Sequence, residues 1–357
     1  MGIRGLVSAA VAAVALLTGA AEARADCSPA DPFAEADQAP RVAIVRAARA
    51  PAGPGNAAFE VQLHVEKVLK GAATPAVSRV SFNPLSGTSL QAGRRYMVFF
   101  TPEGAIQQGC STVDVGDGPG RSVADAVTAW LGAQGGRDRT ALLVKLGTAG
   151  PFAAGAARVP PLALAHLAAS PDLLAATSPA ERASLVALVP SVVDERAYSL
   201  AWVLARLRAT ESMPSWIAFL GVNHPSANHR PVQDALELMT NRHDPAYTPG
   251  RDFHGPQAEA LRAGWVQWNA KHGGKPAQEV VAVGARERGA APPVLTDRAS
   301  LARAVRAEKD ELTRKVALAA CEQLLSTPTS LLPDSGAATY VDWTRAAAVC
   351  SPPPPAP

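Results

Sequence analysis

Phe59-Glu60-Val61-Gln62-Leu63-His64-Val65-Glu66 alternates apolar and polar residues without a fault. Phe59, Val61, Leu63 and Val65 fall on one side of an extended chain, and Glu60, Gln62, His64 and Glu66 on the other. That period of two is the pattern of a half-buried antiparallel strand. Working outward, Asp31-Pro32 opens a short helix with a cap and a proline at the first helical position. Arg41 to Arg46 is a strand, and Pro51 to Asn56 a loop that turns the chain into the alternating segment. Lys67-Val68-Leu69-Lys70-Gly71 breaks the alternation, as a bulging or coiling strand does before it ends on glycine. Val77 to Phe82 is a further strand, and Leu90 to Arg94 a turn feeding Arg95 to Phe100, which is apolar on both faces and therefore central. Short strands joined by Gly/Pro turns, with a helix in front, predict a five-stranded Greek-key β-barrel over residues 26–118.

The chain has 357 residues, 48% of them hydrophobic and 18% charged, enough for two domains with packed cores. Aromatic residues are 5%, so alanine, valine and leucine must do most of the packing. Residues 1–25 read as a secretory signal: Arg4, the apolar run Leu6 to Leu17, and the small-x-small site Ala23-Arg24-Ala25. The run is shorter than the ~20 apolar residues a membrane span needs. Ala-Asp before Cys27 does not suit a lipoprotein. A secreted or periplasmic chain without a transmembrane segment is expected. Cleavage would lower the net charge of +3 to +2, because the leader carries two arginines and one glutamate. Neither value, nor the acidic face of Glu60 and Glu66, suits nucleic acid.

An even cysteine count in an oxidising compartment predicts disulfides. Four cysteines allow three pairings; proximity favours Cys27–Cys110 and Cys321–Cys350. The alternative for Cys321 is a buried free thiol in an apolar helix. No CxxC is present, so a cysteine zinc site has no support.

Beyond residue 120 the pattern is helical. Val123, Ala126, Val127, Trp130 and Leu131 recur at helical spacing after the Gly116–Gly120 hinge. Ser178-Pro179-Ala180-Glu181 is a capping box that starts a helix. Leu200, Val203, Leu204 and Leu207 form a stripe, and Ser212 is expected to cap the next helix. Val232, Leu236 and Met239 line another, and Leu261, Trp265 and Trp268 a third that stops at Gly273-Gly274. Residues 121–274 thus predict an irregular α-helical region or α-solenoid. Residues 275–296 read as a linker, 297–350 as a helical hairpin closed by Cys321–Cys350, and 351–357 as a disordered proline-rich tail.

Two resemblances follow from these motifs. Cys27-Ser28-Pro29, Phe33 and Asp37 before Val42-Ala43-Ile44-Val45, Phe59-x-Val61 running into Lys67–Gly71, and Leu90-x-x-Gly93-x-x-Tyr96-x-Val98-Phe99 before Gly109-Cys110-Ser111 resemble the bacterial netrin-like domains related to tissue inhibitors of metalloproteinases. The resemblance implies an OB-type barrel and the Cys27–Cys110 pairing. Inhibitors of that family begin Cys-x-Cys, and the α-amine and carbonyl of the first cysteine chelate the protease zinc. Here that position is Ala25, and the expected cleavage leaves Asp26 first, so the chelating wedge is missing. Leu236-x-Leu238-Met239-Thr240-Asn241, a polar loop and Trp265-x-x-Trp268-Asn269 resemble the terminal unit of HEAT-like helical proteins, in which the tryptophans pack.

One cluster has chemical potential. His224, His229, His243, His254 and His272 lie close in sequence with Asp244 and Asp252, and His243, Asp244, Asp252 and His254 are the candidate metal ligands. Against them, Pro225 separates His224 from His229, and His243-Asp244-Pro245 reads equally as a turn. There is no HExxH, GxSxG, Walker A or GxGxxG, so no catalytic residue and no cofactor is expected. The expectation is a non-enzymatic binding or scaffolding protein whose partner is another envelope or extracellular protein. The alternatives are a protease inhibitor acting without amine chelation and a metal-dependent hydrolase built on the histidines.

Overall fold

The computed structural model describes residues 31–49, 59–72, 77–82, 90–104, 106, 112–116, 119–149, 158–192, 196–221, 229–247, 253, 255–327 and 341–351. Cys27, Cys110, His224, Asp252, His254, the leader and the tail lie outside them. The chain divides into two compact units at Ala124/Asp125, near the expected end of the β region.

In the first unit, α1 (Pro32–Gln38) starts where Asp31 accepts hydrogen bonds from the amides of Phe33 and Ala34. The strands are β1 (Arg41–Arg49), β2 (Phe59–Lys70), β3 (Val77–Phe82), β4 (Arg95–Phe100) and the two-residue β5 (Val113–Asp114). All ladders are antiparallel, in the order β3-β2-β1-β4-β5. Four of these strands make the sheet, in a Greek-key order, and β5 only extends its edge.

The expected closed barrel is not formed. Closure needs the first and last strands to pair with a consistent tilt and stagger. Here β3 and β5 stand at opposite edges, and the described residues show no ladder between them. The sheet is open, so the five-stranded OB-type barrel is corrected to a small open antiparallel sheet.

Within β2 the alternation reads as expected where side chains are described: Leu63 is buried while Gln62 and His64 are exposed. The break after Val65 is real. Glu66 and Leu69 are the extra residues in a ladder that pairs Val45 with Val65, Ile44 with Lys67, Ala43 with Val68 and Val42 with Lys70. Bulged Glu66 accepts from Arg46 at 2.8 Å and Arg95 at 2.6 Å. Partial burial pushes its carboxyl up, but the two guanidiniums outweigh this and hold it below its usual range. Gly71 then ends the strand at φ +86°, and a Cβ there would lie 2.4 Å from the Pro40 carbonyl. On β4 every residue from Tyr96 to Phe100 is buried. Val98 and Phe100 join Val45, Leu63 and Ile106 in a core on one face of the sheet.

The helix α2 (Pro119–Gly132) runs across the division between the units. The second unit contains α3 (Gly135–Thr148), α4 (Val159–Ala169), α5 (Pro171–Ala175), α6 (Pro179–Leu188), α7 (Arg196–Arg206), α8 (Met213–Phe219) and α9 (His229–Thr240). After these come α10 (Pro256–His272), α11 (Ala277–Glu287), α12 (Arg298–Ala307), α13 (Glu311–Leu325) and α14 (Trp343–Cys350). The Ser178 capping box starts α6 with both reciprocal bonds present. Ser212 is different: its hydroxyl donates to the Ala209 carbonyl and caps no amide of α8.

Helix packing in the second unit is irregular. In a solenoid each unit touches only its neighbours. Here α4 packs on α3 and α7, and α7 on α9, but α13 returns to contact α5, α7 and α9. Its residues show why: Thr313 and the whole run Val316 to Glu322 are buried, so its middle turns must be surrounded.

Two boundaries also change. Residues 275–296, expected as a linker, contain α11, whose Val280, Val281, Ala282, Gly284 and Ala285 are buried. Residues 297–350 hold three described helices, because Asp310 accepts from the Thr313 amide and starts α13 separately from α12. Cys321 and Cys350 are bonded and join α13 to α14, as expected.

Candidate functional site

Among the described residues of the second unit, a dense polar cluster surrounds the irregular segment Asn241–Tyr247, at the end of α9. The helix stops because Asn241 takes the left-handed conformation, φ +58°. Its amide still reaches the Glu237 carbonyl at 2.7 Å. The Asn241 side-chain oxygen accepts from Arg288 at 2.8 Å and from the Thr313 hydroxyl at 3.2 Å. Arg288 also donates to the Asn241 main-chain carbonyl. Both Asp310 oxygens receive the same guanidinium, at 2.5 and 3.0 Å. Partial burial alone would raise Asp310, but Arg288 and the amide and hydroxyl of Thr313 hold it at about 2.

The close approach of α11 makes this joint possible. A Cβ on Gly284 would lie 2.4 Å from the Thr240 carbonyl oxygen and 2.7 Å from the Asn241 carbonyl. Backbone sits where a side chain would go, so Gly284→Ala is expected to cost about 1–3 kcal/mol in a chemical denaturation experiment.

The far side of the segment holds four titratable groups. Glu237 accepts from Gln233 at 3.0 Å and lies 2.9 Å from His243 Nδ1. The Tyr247 hydroxyl donates to Asp234 at 2.6 Å. Gln233 in turn accepts from the Trp265 indole at 2.6 Å, which ties α9 to α10. Burial drives Asp234 up to about 6, with the Glu237 charge adding to it, although Tyr247 and Arg230 pull the other way. The hydrogen bond to Glu237 holds His243 above its ordinary value. Burial and the Asp234 charge raise Tyr247 well beyond the phenolic range.

Two of the four candidate metal ligands are among the described residues, and each is turned to another partner. His243 is turned to Glu237, and Asp244 to Arg242, at 2.8 Å. Asp252 and His254 are outside the described residues. His229 lies among Phe219 and Phe253, with ring centroids 5.9 Å from each. His272 rests on Trp268 with Nε2 3.7 Å from Glu287. Among the described residues no group of three or more His, Cys, Asp or Glu side chains is placed to hold a metal ion. Trp265 and Trp268 pack, as expected: both are buried, edge to face at 5.9 Å, with the Arg242 guanidinium 4.4 Å from the Trp265 ring.

Arginines have a recurrent structural use in this unit. The last carbonyls of a helix lack intrahelical donors and carry its partial negative charge. Arg137 donates to Ala176 just after α5 at 2.7 Å, and Arg182 to Leu207 and Arg208 just after α7, each at 3.0 Å. Arg208 reaches Leu238 near the end of α9 at 2.6 Å and Val316 inside α13 at 2.8 Å. Arg314 donates to Val305 of α12 at 2.9 Å, and Arg298 to Cys350 and Ser351 at 3.2 and 2.6 Å. The guanidinium fork suits this role because it offers several donors in one plane. Lys70 closes α1 in the same way, on the carbonyls of Ala36 and Asp37.

Sequence reasoning missed Gln233, Asp234, Glu237, Tyr247, Arg288, Asp310 and Thr313. The only signal was the Gln233/Asp234/Glu237 spacing of three and four on the polar side of the Val232–Leu236–Met239 stripe. A shallow groove of about 480 Å³ is lined by Pro179, Arg182, Ala183, Val186, Ala187 and Glu211. Its charged pair is committed to one another at 2.7 Å, and Arg182 also to the carbonyls after α7. Comparison with family models, curated proteins and solved structures finds no match. No helix among the described residues is long and apolar enough to cross a membrane.

Proposed function

We propose that the mature chain is an exported, non-enzymatic binding or scaffolding protein of the cell envelope, acting through its helical unit. The observation that carries the reading is the use of its polar groups. Arg137, Arg182, Arg208, Arg288, Arg298 and Arg314 each bind main-chain carbonyls elsewhere in the unit. His243 and Tyr247 are engaged with Glu237 and Asp234. Groups spent on joints between helices make a preorganised body, which lowers the ordering cost of association. The buried disulfide between α13 and α14 serves the same end and suits an oxidising compartment.

The test is site-specific photo-crosslinking in the producing cell, with the reactive residue placed at exposed Val266 of α10, at exposed Val294, and then along the outer helix faces. The reading predicts discrete adducts at a contiguous subset of positions, and saturable, stoichiometric binding of the identified partner to the purified chain. No discrete adduct at any position would contradict it. Turnover of an ester, amide or phosphoester panel by the purified chain, lost in His243→Ala, would put the hydrolase in its place.

A further inference from the structure

We propose that the open half of the sheet's outer face, in the first unit, is a docking surface for an acidic, carboxylate-bearing segment of a partner protein. The polar side of β2 alone reads as acidic, with Glu60, Gln62, His64 and Glu66. Strand pairing reverses this. The ladders set Arg46 of β1 opposite both His64 of β2 and Arg95 of β4, so one row crosses three strands. In the next row Arg49 and Arg79 stand on either side of Gln62, and Lys67 lies opposite Ile44. Five cationic positions thus share the half-face with two acidic ones, Glu60 and Glu66. That excess matches the net charge of +3 carried by the whole chain. The other half of the same face is apolar and covered. Val42, Ile44, Met97 and Phe99 are buried there, and Lys70, opposite Val42, closes α1 over it.

The guanidiniums of the open half are exposed and already set. Arg46 and Arg95 are each 48% exposed, with exposed His64 and Lys67 beside them. Glu66 bridges the two arginines with one oxygen on each, at 2.8 and 2.6 Å, and the Gly93 carbonyl holds Arg46 further at 3.2 Å. Arg95 spends only Nε on Glu66, and its two Nη groups have no partner among the described residues. A guanidinium fixed at one nitrogen loses little freedom when a second carboxylate takes the others. Glu66 also shows which group the face accepts, since its carboxylate spans arginines of neighbouring strands, ~4.8 Å apart. No Phe, Tyr or Trp stands at these strand positions. Bases therefore have nothing to stack on, and a bilayer has no interfacial anchor. An acidic protein segment is the partner that fits.

The experiment is fluorescence anisotropy of a labelled octaglutamate peptide titrated with the full chain at low and at high salt. Saturable binding that weakens at high salt is expected, because exposed charges are screened. Arg95→Gln should weaken it about fivefold, and His64→Glu, which puts a carboxylate in the middle of the row, at least as much. Arg94→Gln removes the same charge from the next residue, but Arg94 is turned to Asp114 of β5. Its affinity should stay within about twofold of the native chain's. No binding at low salt would overturn the proposal, and so would an equal loss in Arg94→Gln and Arg95→Gln, which net charge alone would explain. Phosphatidylglycerol vesicles or oligothymidylate that displace the peptide as well as unlabelled octaglutamate does, charge for charge, would also overturn it. The surface belongs to the first unit, so any of these failures leaves the binding proposed for the helical unit standing.

Discussion

Replacing Arg288 by Met will destabilise the helical unit by about 3–5 kcal/mol, read as a lower urea midpoint with an unchanged slope. The size follows from what the side chain holds. Arg288 is 14% exposed and Asp310 26%, and they meet through two oxygens. Without the guanidinium, Asp310 keeps its burial cost and loses its partner, while Asn241 loses donors to both of its oxygens. Methionine fills most of the same volume, so the loss is electrostatic and not a cavity effect. The pH dependence gives an independent check. Asp310 is depressed from 3.8 to about 2 in the folded chain, so its contribution is present above 3.8 and lost as the pH falls through about 2. The wild-type chain should lose that stability on acidification, whereas Arg288→Met, having already lost it, should show a flatter profile from pH 4 to pH 2.

Removing the disulfide with Cys321→Ala and Cys350→Ala together is the second large effect. The bond closes a loop across 29 residues, for which the chain-entropy model gives about 3–4 kcal/mol as an upper estimate. Both sulfurs are fully buried, α14 starts on an Asp342 cap, and Arg314 stacks 3.9 Å over Trp343. Those contacts and the Arg298 clamp keep α14 docked in the doubly substituted chain, so it should fold but unfold at lower urea. They also shield the bond. Added thiol should leave the native chain's Cys321–Cys350 bond intact and cleave it only in denaturant, with mass spectrometry of the fragment showing a gain of two hydrogens. Cleavage under native conditions would mean that α14 undocks readily.

Features carried by local chemistry were legible in the sequence. Asp31-Pro32, the Ser178 capping box, the alternation through Leu63 and His64, and the Cys321–Cys350 pairing concern neighbours or a single pair. Closure of the sheet was not, because strand pattern says which residues face a core and not whether the edges meet. The supposed linker was misread on composition. Gly284 looks like a helix breaker, yet it is the residue that lets α11 lie against the Thr240 and Asn241 backbone. The return of α13 onto α5, α7 and α9 was not legible either, although its buried run Val316 to Glu322 calls for neighbours on every side. The candidate site was hidden for a related reason. Its arginines bind carbonyls, which every residue possesses, and Arg208 finds one at Val316, 108 positions away.

The central claim is that polar joints between α9, α11 and α13 make the helical unit cooperative. Hydrogen exchange of Arg288→Met against the wild-type chain tests it most directly. The account predicts a coordinated loss of protection in the last turn of α9, in α11 and in the first turns of α13, segments that lose protection together although Asn241 and Thr313 stand 72 positions apart in sequence. A loss confined to the few residues around position 288, with α9 and α13 as protected as before, would contradict it.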